Sequence, residues 1–263
     1  MDAFLTSADR LCPGLVEGLY LTGSVALGDF RPGRSDVDFV AVTARRLTAA
    51  DVAALERVHA ETRKRYRRPY FDGTHVTWDD LAGGYASCSD APHTLRGRFH
   101  TGSGFEVNPV TWAVLAENAV AVRGPAPGGF AVGVDAAALR DWTLENLGSY
   151  WRPWQAARRT SLSPAGILAL HGWATAWGVL GVSRLHYTLA TGGITSKGGA
   201  GRYALETFGA PWRPVIGEAL RLHRSSVVTA PPAVSPRLRN PPARRRATMD
   251  FVAMVVDDAT AGR

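Results

Sequence analysis

The stretch from Tyr20 to Val42 constrains this chain more than any other. A short apolar run, Leu19 to Leu21, ends in Gly23-Ser24. A turn-rich segment, Gly28 to Arg34, follows, and Ser35-Asp36-Val37-Asp38 opens a second apolar run, Phe39 to Val42. Asp36 and Asp38 stand two apart in a segment of strand composition, where alternate side chains share a face. Two carboxylates held together repel each other strongly unless a cation lies between them. Mg²⁺ suits the place, since it binds one or two carboxylates plus substrate phosphates. Gly23 allows close approach of the backbone to a ligand. Ser24 begins a helix, whose first N–H groups suit phosphate.

Around this stretch the first half reads as alternating helix and strand. Residues 2 to 12 form a helix, Leu15 to Leu21 a strand, Ser24 to Leu27 a short helix and Ser35 to Val42 a second strand. Thr48 caps the next helix, with Asp51 in the place of a capping box. Residues 70 to 78 are aromatic and β-branched and make a third strand. Asp72 lies on it, with His75 as a rival base. Asp79 or Asp80 caps a short helix. Residues 83 to 108 read as a long loop, residues 108 to 115 as a helix and Ala119 to Val122 as a last strand.

Gly124-Pro125-Ala126-Pro127-Gly128-Gly129 is a linker signal, so two domains are expected, 1–125 and 126–263. The second is helical in pattern. One helix starts at Asp135 and breaks at Tyr150 to Trp154. Another opens at Ser163-Pro164 and runs to Trp177 or beyond, and Gly192-Gly193 stops the next.

The charge balance, 30 Lys+Arg against 23 Asp+Glu, gives +7. Much of the excess is local, at Arg63 to Arg68 and at Arg237 to Arg246. Such runs suit nucleotides or nucleic acid but more commonly make solvated faces. Cys12 and Cys88 are too few and too far apart for a disulfide framework or a zinc site, and a reducing cytoplasm is the default location. The first ten residues lack the apolar core of a signal peptide. The most apolar stretch, Ile167 to Val182, is short for a membrane span and reads as a buried helix. No membrane association is expected.

Gly23-Ser24, eleven intervening residues, then Asp36-Val37-Asp38 between strand-like runs resembles the nucleotidyltransferase superfamily. The resemblance implies an α/β domain of the polymerase-beta-like type with a mixed sheet. It also implies two Mg²⁺ ions on Asp36 and Asp38, and a third carboxylate at Asp72 that helps hold them and acts as general base. A second stretch, Tyr187-Thr188-Leu189-Ala190-Thr191-Gly192, then Ser196-Lys197 and Ala204-Leu205-Glu206, resembles the all-helical C-terminal domain of the spectinomycin/streptomycin adenylyltransferases. That likeness implies transfer of AMP from ATP to a hydroxyl of a small molecule. Gly23, Ser24, Ser35 and Lys197 would bind the nucleotide phosphates, and His223 would stack on the nucleotide. The partners are then a nucleoside triphosphate and a small hydroxylated acceptor. Nucleic acid is not expected, since the sequence shows no separate RNA-binding domain. One departure stands out. Where the aminoglycoside enzymes place acids for the cationic drug, this chain has Gly172 to Gly178 with no carboxylate, and Trp173 and Trp177 four apart on one helix face. These read as core residues.

Overall fold

A computed structural model of the chain describes residues 1–88, 90–102, 104–160, 163–224 and 236–261. Its contacts divide the chain into two units, Met1–Asp135 and Ala136–Arg263.

In the first unit, both faces of the sheet are apolar because each strand alternates two hydrophobic sets. Strand β1 (Val16–Leu21) pairs antiparallel with β2 (Val37–Thr43). Leu19, Leu21, Phe39 and Ala41 point to one side, where Phe4, Leu55 and Val58 join them. Tyr20, Val40 and Val42 point to the other, against Trp112 and Leu115. The first side is covered by α1 (Asp2–Leu11) and α3 (Ala49–Arg65). Helix α3 is also the crossover that lets β3 (Phe71–Thr77) run parallel to β2. Thr48 caps it in a capping box with Asp51, as the sequence reads. A four-residue helix, α2 (Gly23–Ala26), follows β1. Helix α4 (Trp78–Gly83) is capped by Thr77, with Asp80 as the reciprocal acid three residues on. Two short strands follow, β4 (His93–Leu95) and β5 (Arg98–His100), then α5 (Pro109–Glu117) and β6 (Val120–Arg123). Among the described residues the sheet is six-stranded, in the order β5-β4-β3-β2-β1-β6, and mixed.

The hairpin β4–β5 corrects the reading of residues 83 to 108 as one long loop. Arg96 and Gly97 both have positive φ, 52° and 65°. That is the two-residue turn whose twist matches antiparallel strands. Asn-Gly is its usual signal, and Arg-Gly hides it. The linker signal at 124–129 lies inside the first unit. Tyr20 donates a hydrogen bond to the Pro125 carbonyl at 3.0 Å, and Phe130 packs on Tyr20 and Trp78.

The second unit is helical in its described residues: α6 (Ala136–Asn146), α7 (Arg152–Arg159), α8 (Pro164–Leu168), α9 (Gly172–Thr191), α10 (Lys197–Thr207), α11 (Arg213–Arg224) and α12 (Pro241–Thr260). The expected break at Tyr150 to Trp154 is a widened turn instead. Residues Leu147–Trp151 adopt π-helical hydrogen bonding and lead straight into α7. Pro153 lacks an N–H and crowds the carbonyl four residues back, which a wider turn relieves. The helix expected from Ser163 onward is two helices. His171 caps the second, its Nδ1 accepting from the Trp173 N–H at 3.1 Å. Nor is it buried throughout, since Ile167, Leu168 and Trp173 are exposed. Glycine admits a tryptophan on its inner face: a Cβ at Gly181 would lie 2.3 Å from the Trp151 ring. Among the described residues no helix is long and apolar enough to cross a membrane. The second basic run is not simply a solvated face, because Arg245 is buried and Arg244 donates to the Leu170 carbonyl. The side chain of Arg237 lies outside the described residues.

His75 is part of the first core. Its Nδ1 donates to the Pro92 carbonyl at 3.3 Å, so its Nε2 accepts from Nε2–H of His59 at 3.2 Å. Phe4, Phe39 and Phe99 surround the pair. Burial holds both imidazoles neutral and pushes His75 down to about 4, with His59 well below its ordinary value. The neutral form is the folded form, so this stability is complete above about pH 6.5 and is lost as pH falls toward 4. Each histidine that protonates only on unfolding contributes about 1.4 kcal/mol per pH unit in that window. Thermal melts of the wild type between pH 7 and 4 should fall steeply, and those of a His59→Leu/His75→Leu variant should fall less.

Candidate active site

The parallel register of β2 and β3 builds the site. Asp38 lies directly opposite Asp72. Paired residues in a parallel ladder present side chains to the same face, so the two carboxylates share the side that carries Val40, Val42 and Val76. Asp36 stands one residue before β2 begins, and its Oδ1 accepts from the Tyr70 N–H at 3.2 Å. Arg68 comes within 3.9 Å of the same oxygen and lies over the Tyr70 ring at 3.8 Å.

Gly23 is required by its neighbour. Its φ is +54°, and an added Cβ would lie 1.9 Å from Asp38 Oδ2. The close approach that glycine permits is therefore made by the Asp38 carboxylate itself. Ser24 follows in α2, and its Oγ is buried without a hydrogen-bond partner. Ser35 closes the preceding turn, its Oγ accepting from the Arg31 N–H at 3.0 Å.

Asp72 is buried and doubly held. Oδ2 accepts from the Arg96 N–H and Oδ1 from the Gly97 N–H, each at 2.7 Å. Its carboxylate thus holds the hairpin turn, including the non-glycine residue at positive φ. Burial raises its pKa, against the two N–H groups, and the charge of Asp36 raises it further. His75, the rival base, faces the opposite core and is excluded by its bonds to His59 and Pro92. Glu106 is a fourth acid, one without metal-ligand spacing in the sequence. It has a buried Oε2 without a hydrogen-bond partner, and burial raises its pKa, with His93 and Asp72 both acting on its charge. His93 gives nothing away in sequence, but its Nδ1 donates to the Gly102 carbonyl at 2.8 Å and its ring stacks on His100. No short spacing joins residues 72, 93 and 106, so only the fold could associate them.

Lys197 and His223 belong to the second unit. Lys197 is the first residue of α10, behind the Ser196 cap, with Nζ 5.1 Å from the Trp177 ring centre. His223 is half-buried on α11. Trp173 is 54% exposed and stacks on Trp177 at 5.7 Å and 16°. Trp177 in turn donates from Nε1 to the Tyr150 hydroxyl at 3.2 Å. Trp173 is therefore no core residue.

The donor set suits a hard cation in part. Asp36 and Asp38 fit a Mg²⁺ ion that takes its remaining ligands from water and phosphate. Asp72 fits less well as a full ligand, because each oxygen already accepts an N–H. In keeping with this, no three His, Cys, Asp or Glu side chains among the described residues converge as a closed metal site.

The first unit, with paired acids behind a Gly-Ser turn, has a polymerase-beta-like mixed-sheet fold. Residues 2–76 match the model of the nucleotidyltransferase domain. Residues 163–240 match the model of the aminoglycoside adenylyltransferase C-terminal domain. Among solved structures the chain is similar to a spectinomycin adenyltransferase, AAD(9) from Enterococcus faecialis, whose crystal structure contains ATP and spectinomycin. The identity is 12%, the TM-score 0.62, and the likeness covers 97% of each chain. At this identity the likeness is one of fold. Comparison with curated protein sequences found no match.

The contact between Gly23 and Asp38 makes a direct prediction. Gly23→Ala should displace the Asp38 carboxylate and weaken the binding of Mg²⁺ with nucleotide. Gly33→Ala, at another positive-φ glycine that has nothing within 4 Å, should pay the backbone strain alone and bind as the wild type does. Calorimetric titration of both variants checks this.

Proposed function

We propose that the protein transfers AMP from ATP to a hydroxyl of a small molecule. The observation that carries this reading is the register of Asp38 against Asp72, with Asp36 beside them. Asp36 and Asp38 would hold Mg²⁺, with Asp72 contributing its charge. Mg²⁺, when bound, supplies positive charge to the triphosphate and the departing pyrophosphate.

The chain's own residues account for the rest. The Gly23-Ser24 turn offers N–H groups, and the unpartnered Ser24 hydroxyl offers a further donor to a phosphate oxygen. Lys197, in the second unit, carries the compact positive charge that suits a phosphate group. Asp72 accepts the proton of the acceptor hydroxyl. The hydroxyl oxygen bonds to the α-phosphorus, and the bond from that phosphorus to the pyrophosphate oxygen breaks. A raised carboxyl pKa favours this role, because a stronger base takes a larger share of the proton. The N–H groups of Arg96 and Gly97 fix its orientation at 2.7 Å.

The acceptor is better read as weakly charged than as polycationic. A protein of net charge +7 opposes the approach of cations at long range. Gly172 to Gly178 carries no carboxylate to offset this, and presents the Trp173–Trp177 stack instead.

Pyrophosphate release with ATP and a panel of hydroxylated antibiotics tests the reaction. Asp38→Asn should keep the fold by circular dichroism and lower turnover by about 10²–10³-fold or more. Near-normal turnover would end the reading of Asp38 as a metal ligand. For the acceptor, calorimetry on nucleotide-loaded protein should give weak binding of streptomycin and tighter binding of spectinomycin. Tight streptomycin binding that weakens with salt would reverse this assignment.

A further inference from the structure

The backbone groups that hold the acids also form one wall of a basic groove. Tyr70, whose N–H holds Asp36, and Gly97, whose N–H holds Asp72, both line a cavity of about 900 Å³. Five cations line it: Arg63, Lys64, Arg67, Arg68 and Arg98. Glu56 is the one carboxylate of that lining, and Tyr70 and Phe99 add aromatic rings to it.

Cations collect near the C-terminus of any helix, where they favour its dipole. That explains Arg63 and Lys64 in the last turn of α3. It does not explain the rest. Arg67 and Arg68 lie beyond the helix, and Arg98 arrives from β5. The hairpin β4–β5 and the end of α3 have been brought together so that their charges face one space. Five like charges that face one space raise the local concentration of a polyanion there.

The groove is also separate from the expected phosphate cradle. Gly23 touches Asp38, whereas the groove meets Asp36 and Asp72 through Tyr70 and Gly97. The groove lies on the side of the sheet that α3 covers, whereas Asp38 and Asp72 share the opposite side, so its occupant is a ligand apart from the triphosphate.

We infer that this groove is a further binding site, apart from the proposed transfer site, for a ligand bearing several phosphate groups. Cations and aromatic rings that line one groove suit a phosphodiester strand. A free phosphorylated sugar offers the same groups in a smaller frame.

Binding without ATP or Mg²⁺ separates this inference from the proposed reaction. Two probes serve on the full chain: a labelled single-stranded RNA of roughly ten nucleotides, followed by anisotropy, and a sugar bisphosphate, followed by calorimetry. At least one should bind and should weaken with salt. The variant Arg63→Gln/Lys64→Gln/Arg67→Gln should bind it about tenfold or more weakly, since several phosphate contacts are lost together. For RNA the slope of log affinity against log salt should fall by about 2. Arg98→Gln, from a different element, should weaken binding in the same direction. Melting temperature and ATP affinity should stay as in the wild type. Arg159→Gln, at an exposed arginine of the second unit, should change nothing. Binding of RNA alone assigns the groove to a strand, and binding of the sugar alone to a free phosphorylated ligand. The inference is overturned if neither probe binds, if the triple variant binds as the wild type does, or if Arg159→Gln weakens binding equally. Probe binding with no pyrophosphate release from any acceptor would instead count against the reaction and leave the groove assigned.

Discussion

Like charges held at fixed positions dominate the first unit. Asp38 and Asp72 face each other across two central strands, and Asp36 stands at the entrance. The fold does not hold this repulsion without help. The backbone N–H groups of Tyr70, Arg96 and Gly97 each donate to one of the acids. Two apolar cores, one on each side of the sheet, keep the strands in register. Rigid strands are what allow acids to be placed against their own electrostatic preference. Placement of that kind is characteristic of functional sites.

The parts legible in sequence were those with local signatures. Period-two hydrophobicity gave β1, β2 and β3, and the Thr48 capping box marked the start of α3 within a residue. The Gly-Ser turn and the paired acids were readable because their spacing is short. The hairpin β4–β5 was not, because Arg96 at positive φ is stabilised by a carboxylate more than twenty positions earlier in the chain. Glu106 was not legible as a site residue for a similar reason, since its surroundings come from His93 and Asp72. The join of α6 to α7 was misread because Pro153 breaks the usual hydrogen-bond pattern, and only the widened turn before it shows how that is absorbed.

Charge in this protein is uneven in function as well as in number. The run at Arg63 to Arg68 faces open space beside the acids. The run at Arg244 and Arg245 turns into the second unit, where Arg244 approaches the buried Glu218 at 3.9 Å. Burying such groups is costly unless they are paired, so the two runs face different constraints despite similar composition. The aromatic residues divide in the same way. Trp151 and Trp154 fill the core of the second unit, while Trp173, four residues from Trp177, meets solvent.

The double hold on Asp72 ties its chemistry to the order of the chain around it. An ionised carboxylate draws two N–H donors more strongly than a neutral acid does. When Asp72 takes up a proton, one of its oxygens becomes a hydroxyl and its grip on the Arg96-Gly97 turn slackens. Arg96 then keeps its unfavourable backbone angle with less to compensate it. In the proposed reaction base and latch are the same side chain, so each proton accepted at Asp72 is also a loosening of the hairpin beside the basic groove. Nothing has to move first for the message to be sent.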